Sequence, residues 1–233
     1  MHATLKPQTC RSYFEDIPLH DVINRESTED LSALAEQFRE ATPFRHVLLQ
    51  DFLAEDFHSA ILAEFPDPKN SELRSEFGKR SRKHAVHDVR SIGPTFRRWD
   101  DTLKSRAFIS MLETITGIEG LLFDPEYHGA GTHNNMHGQG MDVHIDFNLH
   151  RSTGFHRRLN LIVYLGPEWD PAWGGNLELH ENPWDRENDV FKTYPPYANH
   201  AVLFETNEHS WHGFERIDLP LDKQHVTRKS LTV

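Results

Sequence analysis

At 233 residues the chain is long enough for one sizeable domain, and a formal net charge of −11 speaks against a nucleic-acid backbone as its main partner, which would need concentrated Lys and Arg. With 37% hydrophobic residues and no apolar run near the roughly 20 residues that span a bilayer, no membrane segment is expected. Met1 to Pro7 lack the apolar core of a secretory signal, and a lone cysteine, Cys10, excludes an internal disulfide framework. These features fit a cytoplasmic protein.

Residues 1–26 show no clear period and read as an arm. Ser27 and Thr28 ahead of Glu29 and Asp30 mark a helix start, with acidic residues near the positive end of the dipole. Leu31, Leu34, Ala35 and Phe38 then recur as one buried helix face, closed by Pro43. Val47–Leu49 reads as a short strand, and Phe57, Ile61 and Phe65 as a second helix ended by Pro66. From 66 to 100 the pattern predicts long loops with one strand over 85–89. Phe108, Met111, Leu112 and Ile115 predict a third helix, stopped by Gly117. Within the loops, Lys79-Arg80-Ser81-Arg82-Lys83-His84 is a basic run in an acidic chain. It reads either as a solvated loop or as a patch that recruits an anionic substrate.

After Gly120 helical periodicity gives way to short β-type runs: Leu121–Phe123, Met141–Phe147, Leu159–Leu165, Asn176–Leu179, Ala201–Glu205, His212–Arg216 and Arg228–Val233. Helices followed by such strands predict an α+β protein with an antiparallel sandwich or barrel in its second part. Residues 158–165 are the most hydrophobic run and read as a central strand, and Trp173-Gly174-Gly175 as a tight turn into the next. The chain stops at Val233 inside a β-type run, the pattern of a truncated strand.

In Val143-His144-Ile145-Asp146-Phe147 the imidazole and the carboxylate are two positions apart, so in a strand both project from one face. His212 follows 66 residues after Asp146. Two His and one carboxylate on one side of a metal form the facial triad of non-haem Fe(II) oxygenases, with the opposite positions open. His-x-Asp alone is common; the strand pattern around it and the distal His212 give it weight.

The order His144-x-Asp146, then residues 159–165, then Trp173-Gly174-Gly175-Asn176-Leu177-Glu178-Leu179, then His212-Gly213, then residues 227–233, resembles the 2-oxoglutarate- and Fe(II)-dependent oxygenases, more narrowly their prolyl-hydroxylase-like branch. The resemblance covers about residues 120–233. It implies one oxygenase domain over 1–233, with an N-terminal arm and helical support over 1–119 and a double-stranded β-helix (jelly-roll) core over 120–233. By it, His144, Asp146 and His212 would be the iron ligands, and Arg228, sixteen residues after His212, would hold the distal carboxylate of 2-oxoglutarate. A guanidinium suits a bidentate carboxylate pair, and strand alternation allows only one of Arg228 and Lys229 to point inward. Tyr164 would reach the same carboxylate, and Thr232, on the Arg228 face with Ser230, would also touch the cosubstrate. Asn160 would add a polar contact and Leu177 an apolar wall.

The activity implied is hydroxylation of an unactivated C–H bond in an amino-acid, peptide or natural-product substrate, using Fe(II), 2-oxoglutarate and O2 and releasing succinate and CO2. Asp146 disfavours halogenation, because related halogenases carry Gly there. His128, His133 and His137 are expected in a loop bordering the substrate opening. Asn148 and His150 continue the Asp146 face, and Arg158 falls near the mouth. His180 reads as structural, Trp169, Trp173 and Trp211 as packing, with Trp211 able to shield the metal. Two rivals are a non-catalytic jelly-roll binding module and a Zn-dependent hydrolase using the same triad. Neither has a use for an inward Arg228. The substrate, small-molecule or peptidyl, and the oligomeric state are not legible.

Overall fold

A computed structural model describes residues 18–68, 72–75, 82–166 and 168–233, with the side chains of 72–75 and of residue 82 outside the description. Cys10 and, from the basic run, Lys79, Arg80 and Ser81 therefore lie outside the described residues. Four α-helices come first: α1 (Leu31–Glu40), α2 (Glu55–Ala63), α3 (Pro94–Lys104) and α4 (Arg106–Thr116). Among them lie β1 (His46–Leu49), β2 (Glu72–Ser75) and β3 (Arg82–Val86), and then β4 (Gly131–Asn135), β5 (Met141–His144), β6 (Leu159–Tyr164), β7 (Leu177–His180), β8 (Phe191–Tyr194), β9 (Ala201–Glu205), β10 (Trp211–Phe214) and β11 (Arg228–Thr232). None of these helices is long and apolar enough to cross a membrane.

Among the described residues the strands form two antiparallel sheets. The larger runs β1-β9-β6-β11-β4-β3-β2 and the smaller β5-β10-β7-β8. Alternation along the central strands decides what each face buries. Leu161 and Val163 of β6, Leu203 of β9 and Leu231 of β11 pack with Phe38, Ile61, Trp99, Phe108 and Ile115 from the helices. Ile162, Tyr164, Val202 and Phe204 point the other way, toward Leu177 and Leu179 of the smaller sheet. The helices are thus a backing layer, and the site lies between the sheets.

The expected α+β jelly roll is present, with local differences. Helix α1 starts later than the hydroxyl pair suggests: Asp30 is the N-cap and accepts from the Ala33 amide, while Ser27 and Thr28 donate to the Asn24 carbonyl. Residues 18–26 are not all arm, because Val22 and Ile23 are fully buried and Ile23 bridges to Leu53. The 66–100 stretch contains α3, which is amphipathic but so rich in charge that its five buried residues, among them Phe96 and Trp99, do not stand out in sequence. Pro94 at its first turn was the available signal. Residues 121–123 are not a strand; instead β4 and β8 are strands that the sequence reading left out.

Leu203 is fully buried on β9, between β1 and β6 of the larger sheet. Leu203→Ala is expected to lower unfolding free energy by about 2–5 kcal/mol. A urea titration with an unchanged slope and a shift smaller than about 1 kcal/mol would show that this layer is not the stabilising core.

Candidate metal centre and anion pocket

Strands β5 and β10 pair so that His212 lies opposite His144, and β10 pairs with β7 on its other side. Gly213 permits this close approach, since a Cβ there would stand 2.7 Å from the Met141 carbonyl oxygen. Asp146 sits just beyond the end of β5, not within a strand as expected, yet it turns back toward the same point. The His144, Asp146 and His212 ligand atoms lie within 4.8 Å of one another. His144 Nε2 is 3.6 Å from Asp146 Oδ1, and His212 Nε2 is 3.7 Å from Asp146 Oδ2.

Both imidazoles are oriented from behind. His144 Nδ1 donates to the Asp142 carbonyl and His212 Nδ1 to the Ser210 carbonyl, each at 2.9 Å. With the proton on Nδ1, each Nε2 lone pair faces the centre, as metal ligation requires. Burial would raise the Asp146 carboxyl, but His144, His212 and Arg157 outweigh it and hold it below the usual carboxylate range. Burial pushes the His212 imidazole down to about 4, with Asp146 opposing and His144 reinforcing the shift. At neutral pH His212 is therefore a neutral imidazole and Asp146 a carboxylate, and with the His144 imidazole they form a donor set for a divalent transition metal.

Asn160 stands beside this centre: its Nδ2 donates to Asp146 Oδ2 at 3.0 Å. Arg157, which the sequence reading passed over, places a guanidinium nitrogen 3.5 Å from the same oxygen. It packs on the Phe147 ring at 5.0 Å and donates to the His128 carbonyl. These two groups fix the orientation of Asp146.

Across the cavity, Arg228 is 4% exposed on β11 and faces inward with Ser230 and Thr232, while Lys229 takes the other face. Its Nε donates to the Gly175 carbonyl at 2.8 Å, one terminal nitrogen donates to the Tyr164 hydroxyl at 3.1 Å, and its carbon lies 4.2 Å from the Phe214 ring centre. Gly175 adopts φ +70°, and a Cβ would come within 2.8 Å of Ile217, so the turn that presents this carbonyl needs glycine. Burial lowers the Arg228 pKa, yet a guanidinium keeps its charge. Among the described residues no carboxylate pairs with it. Ser230 Oγ beside it is buried without a hydrogen-bond partner. A buried guanidinium with a waiting hydroxyl is an anion site.

The cavity wall joins the two features: Leu177, Ile162, Asn160, Thr232, Ser230, Arg228 and the trio all line it. So do Lys83, His133 and Asn135, which were read as surface loop or not singled out. His133 is on β4, buried, with Nδ1 3.2 Å from Thr232 Oγ1. His128 and His150 pack against each other outside the wall, and His150 lies 3.4 Å from Asp124. His137 accepts from the Leu219 amide, and Asn148 accepts from the Arg157 amide through its carbonyl. Arg158 pairs with Glu205, and His180 with Asp189. Trp169 donates to the Gly174 carbonyl and Trp173 packs on it. Trp211 packs on Trp184, and its ring is not part of the cavity wall.

Residues 130–233 match the family model described as the 2OG-Fe(II) oxygenase superfamily. Three solved structures share the fold. A prolyl hydroxylase from Trichoplax adhaerens, in complex with a hypoxia-inducible factor oxygen degradation domain peptide, is 13% identical over 89% of this chain and 89% of that chain, with a TM-score of 0.58. A prolyl-4-hydroxylase from Pseudomonas putida is 15% identical over 87% and 92%, at 0.55. The non-heme alpha-ketoglutarate-dependent epimerase SnoN of nogalamycin biosynthesis is 14% identical over 87% and 81%, at 0.56. The match covers the second part of the chain, and the solved structures share its fold.

The donor set fits Fe(II), and the buried Arg228 with the unpartnered Ser230 hydroxyl fits one end of a dicarboxylate. In metal-free protein the His212 shift carries a stability cost. Unfolded His212 titrates near 6.5 and folded His212 near about 4, so between these values the unfolded state binds more protons. Stability is expected to fall as pH drops from 6.5 toward 4, by up to about 3 kcal/mol from this group. In EDTA, His212→Gln is expected to flatten that slope in urea midpoints; an unaltered slope would mean that His212 titrates normally.

Proposed function

We propose that this chain is a hydroxylase that oxidises a C–H bond of a small-molecule or peptidyl substrate, releasing succinate and CO2. The observation that carries this reading is a single cavity with a His-Asp-His trio on one wall and a buried Arg228 without a carboxylate partner, among the described residues, on the other. His144, Asp146 and His212 are the proposed iron ligands. Arg228 and the Tyr164 hydroxyl receive the distal carboxylate of 2-oxoglutarate, with Thr232 alongside. Leu177 lines the apolar side.

Bound Fe(II), 2-oxoglutarate and O2 supply an oxidant able to hydroxylate an unactivated C–H bond, with the cosubstrate leaving as succinate and CO2. The residues do the rest. His144, Asp146 and His212 would hold the metal from one side of the cavity, within reach of the space that Arg228 borders. Arg228 at one end of the cavity and the trio at the other set the direction in which a dicarboxylate lies. Asn160 and Arg157 keep Asp146 from rotating, and the Asp142 and Ser210 carbonyls hold the imidazole tautomers. Asp146 would serve as a ligand where a halogenase leaves room for halide, which favours hydroxylation.

Anaerobic addition of Fe(II) and 2-oxoglutarate to the apo protein is expected to produce the weak visible metal-to-ligand charge-transfer band. His212→Ala should abolish it, and Arg228→Met should raise the 2-oxoglutarate needed for half-saturation by about 10- to 100-fold, the loss of a charged hydrogen-bonding partner. No band at any concentration in the wild-type protein would overturn the oxygenase reading. A band unaffected by Arg228→Met would move the cosubstrate carboxylate elsewhere.

A further inference from the structure

The larger sheet is backed by helices, whereas the smaller sheet presents an aromatic shelf on its outer face. Leu177 and Leu179 of β7 and His212 and Phe214 of β10 are buried toward the interior, so alternation turns His180 and Trp211 outward. Trp211 lies opposite His180, and His180 opposite Phe191, whose ring stacks on the imidazole at 5.4 Å. Trp184, from the loop between β7 and β8, meets Trp211 edge-on at 5.9 Å. Trp184 is 77% exposed, Phe191 55% and the adjoining Val190 45%. The loop that carries Trp184 is ordered: the Trp184 amide donates to Asn182 Oδ1, the Asn182 amide to Asp189 Oδ1 and the Asp189 amide to the Asp185 carbonyl. Large rings held in water by an ordered loop mark an interaction surface. The shelf also begins one residue from the metal centre. Along β10, Phe214 stands beside Arg228, His212 belongs to the trio and Trp211 follows, beyond the trio on the side away from Arg228.

We propose that this shelf docks a basic segment of a peptidyl substrate, with Lys or Arg side chains of that segment on the exposed rings. This rests on the oxygenase reading above and adds the substrate class to it. Charge selects the occupant. Residues 181–190 carry four acids, Glu181, Asp185, Glu187 and Asp189, against Arg186 alone, and Glu208 stands in the loop that leads into Trp211. Among the described residues, Glu181, Asp185, Glu187 and Glu208 have no ion-pair partner, and no Lys or Arg lies over Trp184, Trp211 or Phe191. An indole face attracts a cation, and carboxylates around it add to the attraction. A second copy of the chain fits less well, because a two-fold contact here would set these acids against themselves. Nucleic acid is repelled for the same reason. Distance selects a peptide over a small molecule. Trp211 and His212 point to opposite faces of one sheet, so a substrate that reaches both must pass around its end. That path is on the order of 10–15 Å, which about three to five extended residues span.

The test follows the fluorescence anisotropy of short labelled peptides on the full chain, built from alternating Ala and Lys, Ala and Glu, or Ala and Gln. The Lys peptide is expected to bind, and the other two to bind at least about 10-fold more weakly. Trp184→Ala should weaken the Lys peptide by about 5- to 30-fold, the loss of one cation–indole contact, with an unchanged urea midpoint. Glu181→Gln with Glu187→Gln should also weaken it and flatten its salt dependence. Neutralising two exposed acids ahead of α1, Glu26→Gln with Glu29→Gln, should not. With Fe(II) and 2-oxoglutarate bound, the peptides that stimulate succinate release should be basic ones, and Trp184→Ala should raise their half-saturating concentration by the same factor. The proposal is overturned if Lys and Glu peptides bind alike, if Trp184→Ala changes neither binding nor half-saturation, or if acidic peptides or none stimulate. It is overturned too if the chain forms a dimer in sedimentation that Trp184→Ala abolishes, which would make a second copy the occupant. A missing charge-transfer band in the wild-type protein would sink the oxygenase reading itself, whereas a band without shelf-dependent binding would sink only this inference.

Discussion

His212 facing His144 across the β5–β10 ladder is the constraint on which the centre depends. Side chains alternate with period two, so a slip of one residue would turn an imidazole to the outside and separate the trio. Three features hold the register. Gly213 lets the strands approach, the Asp142 and Ser210 carbonyls orient the rings, and Phe204 packs on the His212 ring at 4.9 Å. The centre therefore inherits its precision from backbone pairing, and the one member outside a strand, Asp146, is held by side chains instead.

The second constraint is charge in a dry place. Arg228 is buried among Tyr164, Phe214 and the Gly175 carbonyl, groups that position a guanidinium without neutralising it. A buried cation held by neutral partners is costly in the empty fold, and that cost is offset when an anion arrives. The same logic orders the metal side. Burial keeps His212 neutral against the pull of Asp146, and His144, His212 and Arg157 keep Asp146 ionised against burial, so neither needs to exchange a proton before it binds a metal at neutral pH.

Much of this was legible in sequence because the stabilising layers follow simple periods. The helix faces around Phe38, Ile61 and Phe108 and the alternation in residues 158–165 are driven by apolar burial, and all appear where the pattern placed them. Strand parity ties His144, His212 and Arg228 each to the cavity face, whereas Asp146, just beyond β5, is turned there by its side-chain contacts. The direction of Asn160 was not legible. Its parity put it on the cavity side, but only tertiary placement of the 145–147 segment decides that its amide meets Asp146.

The strands that were missed are informative for the opposite reason. Strand β4 reads Gly-Thr-His-Asn-Asn and every residue of it is buried, yet no hydrophobic pattern marks it. Its polar inward residues, His133 and Asn135, line the cavity, so the chemistry of the site replaces the apolar alternation by which a strand is recognised. Lys83 was obscured in the same way, as one member of a basic run in a segment with no strong period. Strand β8 failed for want of burial, being an exposed edge. Local pattern and tertiary structure agree where the fold buries apolar surface and part company at the cavity wall, where polar residues are buried for a ligand. A buried strand that does not read as one is, in this chain, itself a pointer to the site.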